Sequence, residues 1–479
     1  MARSPLRRAA PAAAALLLGG CSSLGQWLTA PGTSSGIPLP GRMEAADPAQ
    51  AVQWPDPQWW RGFGSAELDG LMAASMTANN DIAAAVARIR QADAQIRIAG
   101  ATLLPSLDLT TRATRAQTGS ASTASIPGFG GGGTRIRVSA SDQISLAATY
   151  EIDFWGKNRG QVEAAQQSAS ATRFDAGTVT ITTQASVANT YFAMLAAQET
   201  LAIQQQNLDI AQRVVRVIRQ RVAVGTATGL DLAQQETVVA QQQAQIPPLQ
   251  QSLEQNRNSL GTLVARPPQA VRLEGGTFAR LAVPSVTPGL PAEVLARRPD
   301  VLNAEAALAA ANANIVVARA QLLPSITLTG SGGFTSLALE NLVRPGAVVF
   351  NIAAGLAQPI FRGGALRGQV ELNEGRAQEL LAAYRGTILA ALVDAENALV
   401  ALRQTTEQEA LQANAVRMAE RAYAIGDAQL QAGTIDLVTL LNTQQTLFSA
   451  RTSLANARLA RLQAAVGLFR ALGGGWGGI

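Results

Sequence analysis

Hydrophobic residues recur at every seventh position through the longest proline-free parts of this chain. Val187, Met194, Leu201, Leu208, Val215 and Val222 form one column, and Leu232, Val239, Ile246, Leu253 and Leu260 form another. Seven-residue spacing keeps side chains on one helix face, so both columns predict helices paired along their length. Residues 158–224 and 364–432 contain no proline, and as helices each would extend on the order of 100 Å. Such a helix needs a partner to persist in water. Near the end of the chain two columns run side by side: Leu440, Leu447, Leu454 and Leu468 beside Leu441, Phe448, Ala455, Leu462 and Phe469. A doubled column predicts a helix that packs on neighbours at both sides, as a closed ring of helices requires.

Shorter stretches follow a period of two. Leu107, Leu109, Thr111 and Ala113 alternate with polar residues, as do Ile144, Leu146, Ala148, Tyr150, Ile152 and Phe154. Ile326, Leu328 and Gly330, then residues 348–360, repeat the pattern around a loop expected at 331–346; residues 117–134, rich in Gly, Ser and Thr, separate the first pair. These are strand pairs with one apolar and one small or polar face, which suits either a half-buried hairpin or a membrane barrel wall. Four strands cannot close a membrane barrel, whose smallest forms have about eight. Either the strands do not cross a membrane, or several chains share one barrel.

The chain also contains itself twice. Leu104-Pro105-Ser106-Leu107-Asp108-Leu109-Thr110 returns 219 residues later as Leu323-Pro324-Ser325-Ile326-Thr327-Leu328-Thr329. Arg159-Gly160-Gln161-Val162-Glu163 returns after 208 residues as Arg367-Gly368-Gln369-Val370-Glu371, and Gly225-Thr226 returns after 208 as Gly433-Thr434. Matches in the same order at nearly constant spacing indicate an internal duplication. Each copy reads as one helix, two strands, a very long helix, a glycine turn and a second long helix. We place the first repeat at residues 57–270 and the second at 271–472, with a Gly-rich tail at 473–479. The turns Gly225-Thr226-Ala227-Thr228-Gly229 and Gly433-Thr434-Ile435 put glycine where a helix must stop and reverse. Asp231 and Asp436 follow as caps, while Pro247-Pro248 is expected to interrupt one return helix.

Composition narrows the function. The chain has no histidine and one cysteine, which removes the usual zinc ligand sets and every His-dependent catalytic dyad or triad. Asp300 and Glu305 are the nearest acidic cluster, and Asp300 is placed to cap a helix. We therefore expect no enzyme activity and no metal site. Aromatic residues are 4% and charged residues 15% of the chain, leaving small and amide side chains to fill long, closely packed helices. No basic stripe with interleaved aromatics is present, so nucleic acid is not an expected partner.

Residues 1–20 carry Arg3, Arg7 and Arg8, an apolar run over 9–18 and Gly19-Gly20 before Cys21. The run is about half the ~20 residues needed to span a bilayer, so it reads as a signal peptide. Its removal leaves a nearly neutral chain. The end Leu18-Gly19-Gly20-Cys21 resembles the bacterial lipobox, which implies lipidation (palmitate included) of Cys21, a tether over 21–56 and, with Ser22 next, sorting to the outer membrane. The alternative is a free or buried cysteine.

Arg297-Arg298-Pro299-Asp300-Val301, Ala304-Glu305 and Ala318-Arg319-Ala320-Gln321-Leu322-Leu323-Pro324-Ser325 resemble the signature of TolC-superfamily outer membrane factors, in the NodT-like lipoprotein branch. Trp59-Trp60, Asp69, Leu71, Asn79-Asn80-Asp81-Ile82 and Asp153-Phe154-Trp155-Gly156-Lys157 resemble the same family, so the match covers residues 54 to about 472. It implies a mixed α and β fold and a homotrimer, four strands per protomer entering one outer-membrane β-barrel that an α-helical coiled-coil periplasmic barrel continues. It further implies the exit channel of a tripartite efflux pump for small toxic compounds, lipid-anchored, with a periplasmic adaptor and an inner-membrane transporter as partners, and no cofactor. A pore-less coiled-coil scaffold lipoprotein and a type I protein secretion duct are the alternatives. By the same resemblance Tyr423, Asp427 and Asp436 are candidates for a periplasmic gate. Gly225, Thr226, Thr228, Gly433 and Thr434 are candidates for adaptor contact.

Overall fold

A computed structural model describes residues 28–29, 31–44, 54–120, 135–271, 278–285 and 291–474. Cys21 and the signal segment, the middle of the first Gly/Ser-rich loop and residues 475–479 lie outside the described residues. The first copy runs α1 (Ala66–Ala78), α2 (Asn80–Ala101), β1 (Ser106–Ser120), β2 (Arg135–Ile152), α3 (Lys157–Ala223), α4 (Gly229–Ala244) and α5 (Ile246–Leu263). The second runs α6 (Pro291–Arg297), α7 (Pro299–Ala320), β3 (Ser325–Ser336), β4 (Val348–Ala357), α8 (Ala365–Gln431) and α9 (Leu437–Ala471). The duplicated order expected from the sequence is therefore present, with two refinements. The leading helix of the first copy is split at Asn79, whose backbone is extended and whose Oδ1 accepts from the N–H groups of Asp81 (2.8 Å) and Ile82 (3.1 Å). Pro247-Pro248 falls at the first turn of α5, where a missing N–H costs nothing, so only Gln245 separates α4 from α5.

The chain forms two compact units: one holds Gln91–Ser170 and Ala306–Ala382, the other Ser35–Arg90, Ala171–Glu305 and the described part of the chain after Ala383.

The first unit carries a four-stranded antiparallel sheet in the order β1-β2-β3-β4. Its register sorts the side chains sharply. Leu107, Leu109, Ile144, Leu146, Tyr150, Ile152, Ile326, Leu328, Phe334, Val348, Phe350, Ile352 and Leu356 share one face, because Leu109 pairs with Leu146, Tyr150 with Leu328, and Ile326 with Leu356. Asp108, Thr110, Gln143, Ser145, Thr327, Thr329, Ser331 and Asn351 share the other. The apolar face is bare: Leu109 is 69%, Phe350 81% and Ile352 83% exposed. Both edges, β1 and β4, have no strand partner among the described residues. The loop expected from residue 331 begins later, since β3 continues to Ser336. Gly333 makes this possible, for a Cβ there would lie 2.1 Å from the Ile144 carbonyl oxygen. Within the stretch expected to be loop, Gly333 thus permits close approach of two backbones.

In the second unit α9 lies between α3 and α8. Leu447 and Phe448 pack with Ile210 of α3 and Ala419 of α8, Leu462, Val466 and Phe469 with Val187 and Phe192 of α3, and Leu468 with Ala395 of α8. Both columns of the doubled stripe are thus used within one chain. Each fully buried leucine here contributes about 1.5–3 kcal/mol. Trp59 stacks on Phe469 with centroids 4.9 Å apart, and Phe63 sits 5.0 Å from Phe192, so the scarce aromatics concentrate in one core. Among the exposed hydrophobics of this unit is a column on α8, Val393, Val400, Leu411, Met418 and Ile425.

Arg298 of the ArgArgProAsp motif ties this unit together. Its buried guanidinium donates to both Asp300 carboxylate oxygens (3.0 and 2.6 Å), to the Ala471 carbonyl at the end of α9 (3.0 Å) and to Asp394 of α8 (3.3 Å). Asp300, a candidate helix cap, accepts the Val301 N–H and acts as this arginine's counter-ion. A second polar feature breaks the leucine columns: Gln204, Asn207, Gln235, Gln242 and Gln444 are all buried. Gln204 donates to the Gln242 side chain (2.7 Å) and Gln235 to the Ala211 carbonyl (3.0 Å). Both side-chain polar atoms of Asn207 and of Gln444 have no hydrogen-bond partner among the described residues.

Arg298→Leu should cost about 3 kcal/mol, because it strands two carboxylates and a carbonyl; loss of helical circular dichroism at lower denaturant would register it, and an unchanged midpoint would refute the role. Gln444→Leu should raise the unfolding midpoint, since it removes a buried amide whose lack of partners costs about 1–3 kcal/mol.

Candidate functional site

The two hairpin turns are built alike. After α3, Gly225 adopts φ 76°, its N–H donates to the Val222 carbonyl (3.1 Å) and the Thr226 N–H to that of Arg221 (2.8 Å). After α8, Gly433 adopts φ 74°, its N–H donates to Leu430 (3.0 Å) and the Thr434 N–H to Gln429 (2.9 Å). Each threonine hydroxyl donates to the same carbonyl as its own N–H. Left-handed glycine is what lets the last carbonyls of a helix be satisfied before the chain reverses.

The return helices are capped differently. Thr228 and Asp231 form a capping box: the Thr228 hydroxyl oxygen accepts from the Asp231 N–H (3.2 Å), and the Asp231 carboxylate accepts from the Thr228 N–H (2.8 Å). Asp436 caps α9 alone, accepting from the Thr439 N–H at 2.8 Å. Hydrogen bonding from Thr439, its hydroxyl first and its N–H second, holds the exposed Asp436 carboxyl below the ordinary carboxylate range.

Beneath the turns, Ala227 and Leu232 of the first hairpin and Ile435 of the second pack against Val214, Ile218, Leu430, Leu437 and Leu440, so the two turns share one apolar cluster. Gly225, Thr226, Thr228, Gly433 and Thr434 are exposed above it. Tyr423 joins the same cluster through its ring. Burial pushes its phenol above the ordinary value and the nearby Asp427 carboxylate pushes it further, while Arg213 and Arg451 oppose. Asp427 accepts from the Gln431 amide at 3.0 Å and is half-buried. Tyr423 and Asp427 are thus adjacent turns of one helix face, whereas Asp436 stands at the turn itself as a cap.

Arg221 was not singled out by the sequence. At the end of α3 its guanidinium donates to the Leu430 carbonyl and, at 3.3 Å, to the Gln431 carbonyl, both at the end of α8. It fastens the first hairpin to the second through carbonyls of the last helical turn, where a cation also meets the negative end of the helix dipole. The available signal was an arginine in the last helical turn before a Gly-Thr reversal, a pattern common enough to pass unnoticed.

Among known proteins, the profile described as Outer membrane efflux protein matches residues 73–266 and 290–474. The pyoverdine export outer membrane protein OpmQ of Pseudomonas aeruginosa is 40% identical over 466 residues, covering 97% of this chain and 96% of its own. The probable efflux pump outer membrane protein TtgC of Pseudomonas putida is 30% identical, covering 97% of this chain and 95% of its own. The crystal structure of the outer membrane protein VceC from Vibrio cholerae superposes with a TM-score of 0.80 at 25% identity over 88% of this chain and all of that one. The outer-membrane channel OprN, 24% identical, shares the fold with a TM-score of 0.85 over 94% of this chain and 99% of that one. The duplicated helix–strand–strand–helix–helix order, the open sheet with its bare apolar face and the paired Gly-Thr turns are those of a chain that belongs to the outer membrane efflux protein family.

Proposed function

We propose that three copies of this chain form one duct that carries small organic compounds across the outer membrane, as the exit of a tripartite efflux system. The observation that carries this is the four-stranded sheet with an apolar outer face and two unpaired edges. In hydrocarbon an open edge is untenable, because its N–H and C=O groups have no water to turn to. Three such sheets joined edge to edge give a closed twelve-stranded barrel. The bare column Val393, Val400, Leu411, Met418 and Ile425 on α8 then supplies the seam on which the next protomer's helices pack. Acylation at Cys21 anchors each protomer, and the exposed Gly225, Thr226, Thr228, Gly433 and Thr434 offer a docking rim to a periplasmic adaptor linked to an inner-membrane transporter. The duct itself does no chemistry and needs no cofactor.

Gating follows from the tips. Three copies bring three Asp427 and three Tyr423 side chains around one axis, a carboxylate ring that favours cations at a constriction. Asp436 adds charge at the turn. Arg221 is the clasp: while it holds the end of α8, the second hairpin cannot swing away from the first.

Single-channel conductance in planar bilayers, with oligomeric mass measured on the same preparation, tests the proposal. Trimers that insert and conduct support it; a protein that stays monomeric and never conducts sinks it. Arg221→Ala should raise conductance several-fold by releasing the clasp, and Asp427→Asn should raise it while weakening cation preference. Acidification should loosen the α9 cap: the bonded Asp436 carboxylate stabilises the turn above the ordinary carboxyl pKa, and that contribution is lost as pH falls through its depressed value. Hydrogen exchange at Leu437–Leu440 should therefore accelerate below about pH 4, and Asp436→Asn, which still accepts the Thr439 N–H, should flatten that response.

A further inference from the structure

A cavity of about 290 Å³ lies at the foot of the sheet, where three chain segments pass from strand to helix or from helix to strand. Its walls come from residues 151–155 and 157 after β2, 320, 321 and 323–325 before β3, and 357–359, 362 and 366 after β4. Most of its charge is already spent. Lys157 Nζ donates to both carboxylate oxygens of Glu151 at 2.6 and 2.7 Å, and the neighbouring Asp153 is held by Arg159 at 3.1 Å. Trp155 Nε1 is committed to the Pro324 carbonyl at 2.7 Å, and the Gln358 amide to those of Leu322 and Pro359. Two donors in the wall are not committed: neither the Arg362 guanidinium nor the Gln321 amide has a side-chain partner among the described residues.

An exposed arginine in water would mean little. This one stands immediately below the apolar band that ends at Ile152, Ile326 and Leu356. Beside it Phe154, Ile360 and Phe361 are bare, the last two at 88% and 86% exposure. A fork of N–H donors without a counter-ion among the described residues, an amide donor and the Phe154 ring in the cavity wall, with Ile360 and Phe361 just before Arg362 in the chain, match one kind of molecule. It is charged at one end and oily at the other. Guanidinium groups bind phosphate oxygens through two parallel hydrogen bonds, and cationic and aromatic side chains gather where headgroups lie.

We propose that this cavity holds the phosphate of a glycerophospholipid, with Arg362 and Gln321 as donors to its oxygens and Phe154, Ile360 and Phe361 against its acyl chains. The proposal rests on the sheet lying in the membrane as argued above, and it goes beyond it by assigning each protomer one lipid at a fixed place.

The test is native mass spectrometry of the delipidated full-length assembly in detergent, titrated with dioleoylphosphatidylglycerol. Dioleoylglycerol, which has the same chains without phosphate, and inorganic phosphate, which has no chains, form the comparison arms. The expected result is retention of the phospholipid alone, with affinity falling about tenfold in Arg362→Gln, the loss of a charge-assisted hydrogen-bonded pair, and less in Arg362→Lys. Arg344→Gln, at an exposed arginine between β3 and β4, should leave binding unchanged. Since Arg362 is exposed, its variants should keep the wild-type oligomeric mass, which the same spectra report. Equal retention of dioleoylglycerol, binding of inorganic phosphate with the affinity of the lipid, or undiminished binding to Arg362→Gln would each overturn the site. So would an assembly that retains no phospholipid because a neighbouring protomer fills the cavity. Conductance separates this idea from the larger one: a channel that conducts but keeps no lipid loses only the site, and a lipid-binding assembly that never conducts loses only the duct.

Discussion

Inside a hydrocarbon layer a backbone N–H or C=O has nothing to bond to except another backbone group, and most of this architecture answers to that constraint. The inner strands β2 and β3 meet it within one chain, and β1 and β4 do not. By its hydrogen bonds the sheet is open at both edges among the described residues. A side-chain pattern can be tuned residue by residue, but an unpaired edge row has to be answered by another strand.

The helical part obeys softer rules. Its leucine and valine columns hold α9 against α3 and α8, yet the columns are interrupted by buried amides, several of them without a partner. A uniformly apolar seam would hold more tightly, since an unpartnered amide in a low-dielectric interior opposes packing. Arg298 is the counterweight. It gathers the end of α9, the start of α7 and the flank of α8 at one buried guanidinium, while at the turns Arg221 crosses between hairpins to backbone carbonyls.

Much of this was legible in the residues because two different periods were written so plainly. Seven-residue columns such as Val187 to Val222 mark helix faces, and the two-residue alternation from Ile144 to Ile152 marks a strand; the repetition of LeuProSer and ArgGlyGlnValGlu exposes the duplication. The failures were local. The loop expected from residue 331 starts instead after Ser336, because glycine lacks a side chain to count in any alternation, whereas Gly333 serves to let two strands approach. The buried amides sat in the sequence at helical core positions, Gln235 three residues after Leu232 and Gln242 three after Val239, but the abundance of glutamine on the outer faces disguised them. Arg221 was invisible because its partners are carbonyls, which every residue possesses. Tyr423 and Asp427 share a helix face as their four-residue spacing dictates, while the capping geometry of Asp436 was implied by an aspartate following a Gly-Thr turn.

The lengths of α3 and α8 carry a last consequence. Both are 67 residues long, and both are followed by a Gly-Thr reversal at the same offset. Inserting a single residue into either would turn everything beyond it by about 100° and advance it by about 1.5 Å, taking Val214 and Ile218, or Leu430, off the face that meets the shared cluster. Seven residues restore the facing and add roughly 10 Å. The pair therefore behaves as a ruler graduated in sevens and read twice: a duct of this design can be lengthened or shortened only in whole heptads, and only when both copies, with their return helices, change by the same number.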